Sequence, residues 1–527
     1  MSQETKWQRV SSRMVPLIQE RGPGAAFKIL EKLLRSEPAT STEEEFECLM
    51  RATVLVSQYG EVDLARKWTE AHRALREQEG SLSESDVESY KLVRLALELA
   101  EKNYALANTI LEHVDWGRAP RVAWVIDVRL VIAGWRDNRK EIIDLLRGPS
   151  SVSSGSNPCH RANKLRTLGT YFLRRASRKR AARCFQAALR TYSKAPGIDA
   201  RLKVIEMMGF WGSAERLDGH GAEANTLLEG AIESAVRFRH FFYEHLFKLD
   251  LAISHADRGS LARAEELALS VVQSSKSSRR VSPALRYQRV RALSLIASFA
   301  LDASDGKKAA SSLKKARRAL GEWDHARLEG HLHLQRGRLH ALGKSARATR
   351  RALEEFDRAE SCYLASGDGE ANGVAKVKLY RGQVHLKQRN VQEALAQLSA
   401  CDKLIREKLL TADVKADALL LKSRMLLEGD VPGTDQFYED VLGNLGAVHS
   451  PVKLFKIVSN LYLYSWDLDN RLDLTDYHLR QINQMSEVLD RPVFDNLYQR
   501  HVTRRVAWRA LVRTFGVDAA VLPDDDF

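Results

Sequence analysis

The sequence predicts an all-α protein, an α-α superhelical solenoid of stacked helical hairpins closed by helical caps. Three observations predict it. A pattern of small and large apolar residues returns six times at intervals of roughly 42 residues. Outside those copies the apolar residues still recur at helical spacing. The composition, 527 residues with 44% hydrophobic and 28% charged side chains and 12 prolines, is that of a folded chain too long for one globular core.

Residues 1–147 are expected to form an N-terminal helical array. The opening MSQETKWQRVSSRMVPLIQERG is charged throughout and lacks the apolar run of a secretory signal. The most apolar stretch, VAWVIDVRLVIAGW, is interrupted by Asp127 and Arg129, so no membrane span is expected. Cys48, Cys159, Cys184, Cys362 and Cys401 are far apart, with no CxxC or CxxxC pair, and read as reduced thiols of a cytoplasmic protein. Two weaker copies of the repeat can be placed in this array: Ala52 with Leu64, Trp68 and Ala71, and Leu95 with Ala107, Leu111 and Val114.

Residues 148–160 contain GPSSVSSGSNP, rich in turn formers and without apolar period, and read as a linker. The main array, residues 161–430, begins with Leu165, Leu168, Gly169 and Phe172 on one helix and Ala181, Phe185 and Ala188 on the next. The register returns as Gly212 with Ala224, Leu228 and Ala231, as Ala252 with Ala264, Ala268 and Val271, and as Ala297 with Ala309, Leu313 and Ala316. It returns twice more, as Gly337 with Ala352, Phe356 and Ala359 and as Gly382 with Ala394, Leu398 and Cys401. Antiparallel helices can cross closely only over Gly or Ala, while Leu or Phe one turn away fills the groove, so both sizes are required. A hairpin of this kind leaves an apolar face that only a neighbouring hairpin can cover. In residues 431–527, PVKLFKIVSNLYLYSW and VFDNLYQRHVTRRVAWRALVRTF keep a helical period and are expected to cap the array. Trp508, flanked by arginines, fits either cap core or an exposed anchor.

The Leu-Gly-aromatic helix followed by Ala-x3-Phe-x2-Ala resembles the tetratricopeptide repeat (TPR) superfamily. The helix-B alanines are separated by 43, 40, 45, 43 and 42 residues, against about 34 in the standard unit, which places the resemblance with the long, degenerate repeats of signalling adaptors and bacterial sensor arms. In the fifth copy the interval from Gly337 to Ala352 is three residues longer than in the others. The resemblance implies that outward residues of each first helix line a concave groove. Those positions hold Arg166, Arg174, Arg216, Arg291, Arg338, Lys376 and Lys387 against Glu206, Asp257 and Asp302, which suggests a positive groove suited to an acidic partner. Ordinary solvated faces of a basic protein would carry similar charges. The lysine-asparagine pair that clamps a chaperone's terminal carboxylate does not occur at Arg166 and Thr170.

A second basic set, Lys179 with Arg180, Lys307 with Lys308 and Arg350 with Arg351, immediately precedes the helix-B alanine, in the expected first helical turn. Cations there oppose the helix dipole, so these residues read as a secondary basic ridge, with screened surface charge as the plain alternative.

No phosphate-loop, dinucleotide, HExxH or GxSxG string occurs, and neither a catalytic site nor a cofactor is expected. His331 and His333 are two residues apart and would point about 200° away from each other on a helix, and His240 and His245 are five apart, so neither pair suits one metal. Hydrogen bonding between helices is the simpler role for these and for His340. With 82 basic and 68 acidic residues, a net charge of +14, the chain reads as a non-catalytic protein-binding scaffold or regulatory adaptor holding an acidic partner in a multi-component complex. An RNA- or DNA-binding solenoid and a peptide or signal sensor are the alternatives.

If Phe185 fills the helix-B packing position, Phe185→Ala should cost roughly 3–5 kcal/mol in chemical denaturation, and an unchanged midpoint would refute the register.

Overall fold

The computed structural model describes residues 5–503 and 506, except 60, 101–103, 119–128, 131–132, 134–138, 148–157, 175–176, 219, 278–282, 304, 324, 367–369, 408–409, 429–433, 449, 468–471, 488 and 490. The expected linker therefore falls almost wholly outside the described residues, as does Trp508.

The described chain is helical hairpins joined by short turns. The N-terminal part holds α1 (Lys6–Arg21) with α2 (Pro23–Ser36), α3 (Thr42–Gln58) with α4 (Val62–Gln78), α5 (Glu84–Ala100) with α6 (Tyr104–Glu112), and α7 (Arg139–Arg147). Six hairpins follow: α8 (Pro158–Arg174) with α9 (Arg178–Tyr192), α10 (Ile198–Leu217) with α11 (Gly221–Arg237), and α12 (Phe241–Asp257) with α13 (Leu261–Ser277). The other three are α14 (Pro283–Asp302) with α15 (Gly306–Leu320), α16 (Ala326–Ala341) with α17 (Ala346–Ala365), and α18 (Ala371–Lys387) with α19 (Val391–Glu407). The C-terminal part adds α20 (Ala412–Glu428) with α21 (Thr434–Gly443), α22 (Pro451–Asp467) with α23 (Leu472–Gln484), and α24 (Arg491–Tyr498), which runs into a π-helical turn. Each helix of the main array packs on its hairpin partner and on the following helix, and first helices of successive hairpins also touch, the arrangement of a superhelical solenoid.

Local sequence sets the helix starts. Ser345 caps α17 by accepting from the Ala348 amide at 3.1 Å, and Asp305 caps α15 by accepting from Lys308 at 2.9 Å. Turn 258–260 uses Gly259 at φ +87°, whereas the equivalent turn 388–390 holds Arg389 in the same left-handed region at φ +60°.

The repeat register of the main array is that of the core. Ala181, Phe185, Ala188, Ala224, Leu228, Ala231, Ala264, Ala309, Ala352, Phe356, Ala359, Ala394 and Cys401 are all fully buried. The small positions work as steric gaps. A Cβ on Gly169 would lie 2.5 Å from the Phe185 ring, and one on Gly337 would lie 2.3 Å from the Phe356 ring. In the Ala52 copy Trp68 is buried as expected, but Ala65 and not Leu64 is fully buried, and Ala71 is exposed. The longer interval in the fifth copy is taken up at the start of α17. Ala352 is the seventh residue of that helix, whereas Ala309 and Ala394 are the fourth of theirs. The added turn means that Arg350 and Arg351 do not stand in a first helical turn, as Lys179, Arg180, Lys307 and Lys308 do.

Both ends fold back on the array. Trp7, Val10, Met14 and Ile18 form one buried stripe of α1 and share a continuous core with Ile198 and Leu202 of α10. Trp7 Nε1 donates to Asp199 Oδ2 at 2.6 Å, and Tyr59 Oη donates to the Phe238 carbonyl at 3.0 Å. At the other end, Ser450 Oγ just before α22 donates to the Asp257 carbonyl at 3.3 Å, reaching back 193 positions to α12.

Gly337→Ala should destabilise the fold by about 1–3 kcal/mol, because overpacking against Phe356 outweighs alanine's roughly 0.8–1.0 kcal/mol helix preference. Urea denaturation of the single variant and of its combination with Phe356→Leu checks this: the pair should lose less than the sum of the two.

Candidate functional site

The first helices of the hairpins turn their polar sides inward, and their charges meet across neighbouring hairpins. Arg166 of α8 donates to Glu206 of α10 at 3.1 Å, and Arg216 of α10 to Asp257 of α12 at 2.8 Å. Arg291 of α14 reaches back to Asp250 of α12 at 2.7 Å, and Arg338 of α16 to Asp302 of α14 at 2.6 Å. Between α16 and α18 the link is a cation over a ring, with the Arg338 guanidinium 4.9 Å from the Tyr380 centroid. Lys376 of α18 then pairs with Asp413 of α20 at 2.7 Å, and Lys453 of α22 pairs with Asp413 and, at 2.5 Å, with Asp417. A ladder of paired charges thus runs along the inner face from α8 to α22.

With Ser450, just before α22, tied to the Asp257 carbonyl, the inner face and α22 flank an open cavity of about 1080 Å³. Its wall includes Arg216, Asp257, Ser298, Asp302, Arg338, Lys376, Tyr380, Gln383, Asp413, Asp417 and Arg424, and across from the repeats Lys453, Lys456 and Asn460 of α22. Phe299, Leu342, Phe356 and Leu420 give it apolar ground. Seven basic side chains face four acidic ones.

Of the seven expected groove residues, Arg216, Arg338 and Lys376 line this cavity. Arg166 and Arg291 belong to the same ladder but are not among the lining residues, and Lys387 is exposed and donates to the Ala341 carbonyl at 3.0 Å. The side chain of Arg174 lies outside the described residues. Arg166, Arg216, Arg291, Arg338 and Lys376 each meet an acid of a neighbouring hairpin, so much of their charge is neutralised within the fold. Asp413 and Asp417 were not found from the sequence because they follow Cys401, the last residue of the sixth copy, and Lys453 and Lys456 because the motif fades beyond about residue 430, where only a helical period is visible.

Burial shapes the electrostatics. Burial pushes the Asp413 carboxyl up, but Lys376 and Lys453 override it and hold the group well below the usual carboxylate range. Asp417 stays raised by burial. Burial also opposes ionisation of Glu206, yet Lys203 and Arg166 hold it down at about 2. Burial lowers the Lys456 ammonium, with Arg424, Arg338 and Lys453 adding to the effect against Asp302.

The ridge residues lie on second helices. Lys179, Arg180, Lys307, Lys308, Arg350 and Arg351 are all exposed. Arg180 lies 5.9 Å from the Phe172 ring centroid, Lys308 pairs with Glu265 at 2.5 Å, and Arg350 lies 3.9 Å from Glu354. The histidines serve packing. His331 meets the Tyr363 hydroxyl at 2.7 Å, His333 meets Glu355 at 2.7 Å, and His245 meets Ser274 at 2.7 Å. His240 is fully buried, stacks on Tyr243 and caps α12, and burial drives its pKa down to about 3. Among the described residues, Glu215, His220 and Glu223 bring ligand atoms within 4.8 Å of one another, with exposed His220 2.7 Å from the carboxylate of buried Glu215. No helix among the described residues is long and apolar enough to cross a membrane.

The chain matches no protein-family model and no curated protein. Among solved structures it is similar to a Rap protein complexed with competence and sporulation factor, at 12% identity and TM-score 0.48 over 76% of this chain and 97% of that one. It is similar as well to the apo quorum sensor NprR from B. thuringiensis, at 10% identity and TM-score 0.38 over 84% and 99%, and to yeast Tom70, at 13% and 0.37 over 97% of both chains.

Glu206→Gln should cost about 3 kcal/mol at pH 7, since it strands the buried ends of Arg166 and Lys203. A carboxyl depressed in the folded state stabilises fully above its ordinary value of 4.5 and loses that contribution as pH falls toward about 2. Denaturation of wild type and variant across that range should therefore show the difference shrinking with acidification. These likenesses aside, the chain's own interlocked hairpins make it an α-α helical solenoid.

Proposed function

We propose that this chain is a non-catalytic binding protein that holds a short segment of a protein or a free peptide in the cavity between its repeats and α22. The observation that carries the reading is the cavity. At about 1080 Å³ it is just larger than the roughly 300–1,000 Å³ of small-ligand sites, too small for a folded domain and suited to a short extended segment. Its wall mixes paired cations and acids with Phe299, Phe356 and Tyr380, which suits a chain with both charges and apolar side chains. Asp413 and Asp417 would repel a polyphosphate backbone in the same place. An adaptor using this cavity to hold an acidic partner within a larger complex, or a sensor responding to a free peptide, are both consistent with such a site.

A second reading, nucleic-acid binding, is favoured by the outer face and not by the cavity. On α15 the six cations Lys307, Lys308, Lys314, Lys315, Arg317 and Arg318 are exposed, and the helix carries no acidic residue. Lys308 and Arg317 are paired with Glu265 and Glu329.

Gln383→Trp, which places an indole in the cavity wall, should abolish retention of peptides selected on the wild-type protein while leaving thermal unfolding nearly unchanged. Retained peptides at wild-type affinity would refute the cavity as the site. A labelled single-stranded RNA shifted at low salt, with affinity falling steeply up to physiological salt, would support the second reading, and no shift at low salt would remove it.

A further inference from the structure

The ladder leaves one cavity cation unmatched. Lys456 projects from α22 into the cavity, half-buried, and among the described residues it has no hydrogen bond and no ion pair. The acid that acts on it most strongly is Asp302, whose carboxylate already receives Arg338 at 2.6 Å. The other charged groups that act on it most strongly, Arg424, Arg338 and Lys453, are cations. Its neighbour one turn earlier, Lys453, shows what a satisfied lysine looks like on the same helix face, held between Asp413 and Asp417. A half-buried ammonium set among cations and lacking an acid of its own is a poor arrangement for the empty protein and a good one for a bound anion.

We propose that Lys456 is the anchor for a carboxylate of the bound peptide, with Arg338 and Arg424 adding attraction from the facing repeats. This rests on the peptide-binding reading above and adds to it the chemistry of one ligand group and the residue that receives it. The expected ligand has at least one acid, either an Asp or Glu side chain or its own C-terminus, placed so that its remaining residues lie along Tyr380 and Leu420. Asp413 and Asp417 stand at the other lysine of α22, so the acid should be single and local and not one of an acidic run. From the sequence, acid recognition is expected at the first helices of the repeats. The geometry moves it to the helix that closes them, whose cation is the one left available.

Peptides selected from a displayed random heptapeptide library on the full-length protein provide the test. For a selected binder, the free acid is compared with forms in which the C-terminus is amidated or each Asp or Glu is changed to Asn or Gln, on wild type and on Lys456→Gln. On wild type, one of these neutralised forms should bind about tenfold or more weakly, and which one it is tells terminal from side-chain carboxylate. On Lys456→Gln the acid and neutral forms should bind alike. Lys456→Gln should fold as stably as wild type, since it removes a cation with no partner, and its thermal midpoint checks this. Selected peptides whose acid preference survives in Lys456→Gln, or which show no acid preference at all, would overturn the anchor while leaving peptide binding intact. No retained peptide on wild type would overturn both.

Discussion

Two helices can cross with their backbones nearly in contact only where a side chain is missing or is a single methyl, and every hairpin of the main array is built on that constraint. Phe185 rests where a Cβ on Gly169 would be, and Phe356 where one on Gly337 would be. Once the crossing is so close, the inner faces of successive first helices are brought near enough for side chains a whole repeat apart to pair. Arg166 with Glu206, Arg216 with Asp257 and Arg338 with Asp302 are products of that spacing. The ladder in turn leaves an inner wall whose charges are largely matched, and it is against this wall that α22 closes the cavity.

What the sequence made legible was the part of the structure governed by volume. Gly337, Phe356, Ala359 and their counterparts reveal themselves because no other residue sizes fit a close crossing, and their burial follows the motif residue by residue. The register drifted where size was less constrained. In α4 a leucine and an alanine stand side by side, and no local pattern encodes the choice between Leu64 and Ala65. In α17 the extra turn was visible as three surplus residues, but whether they lengthened the loop or the helix was settled by the Ser345 cap.

Charge was less legible than volume. Arg216, Arg338 and Lys376 were placed on the inner face by register, yet their partners sit about one repeat away in sequence, and pairing at that range depends on superhelical pitch. The acids Asp413 and Asp417 and the lysines of α22 lie beyond the last recognisable copy, so the closing side of the cavity was legible only as a helical cap. The two ends of the chain share this property. Trp7 meets Asp199 and Ser450 meets the Asp257 carbonyl through contacts nearly two hundred positions apart, for which the amphipathic stripes of α1 and α22 announce only that some partner exists.

The account stands on the claim that the partner sits between the repeats and the helix that closes them. Hydrogen exchange of the full-length protein with and without a selected peptide measures this directly. Protection should appear together in α16, α18 and α22, which face one another across the cavity, with α15 unchanged. Protection confined to α15 and the other outward second helices, with α22 exchanging as in the free protein, would contradict it.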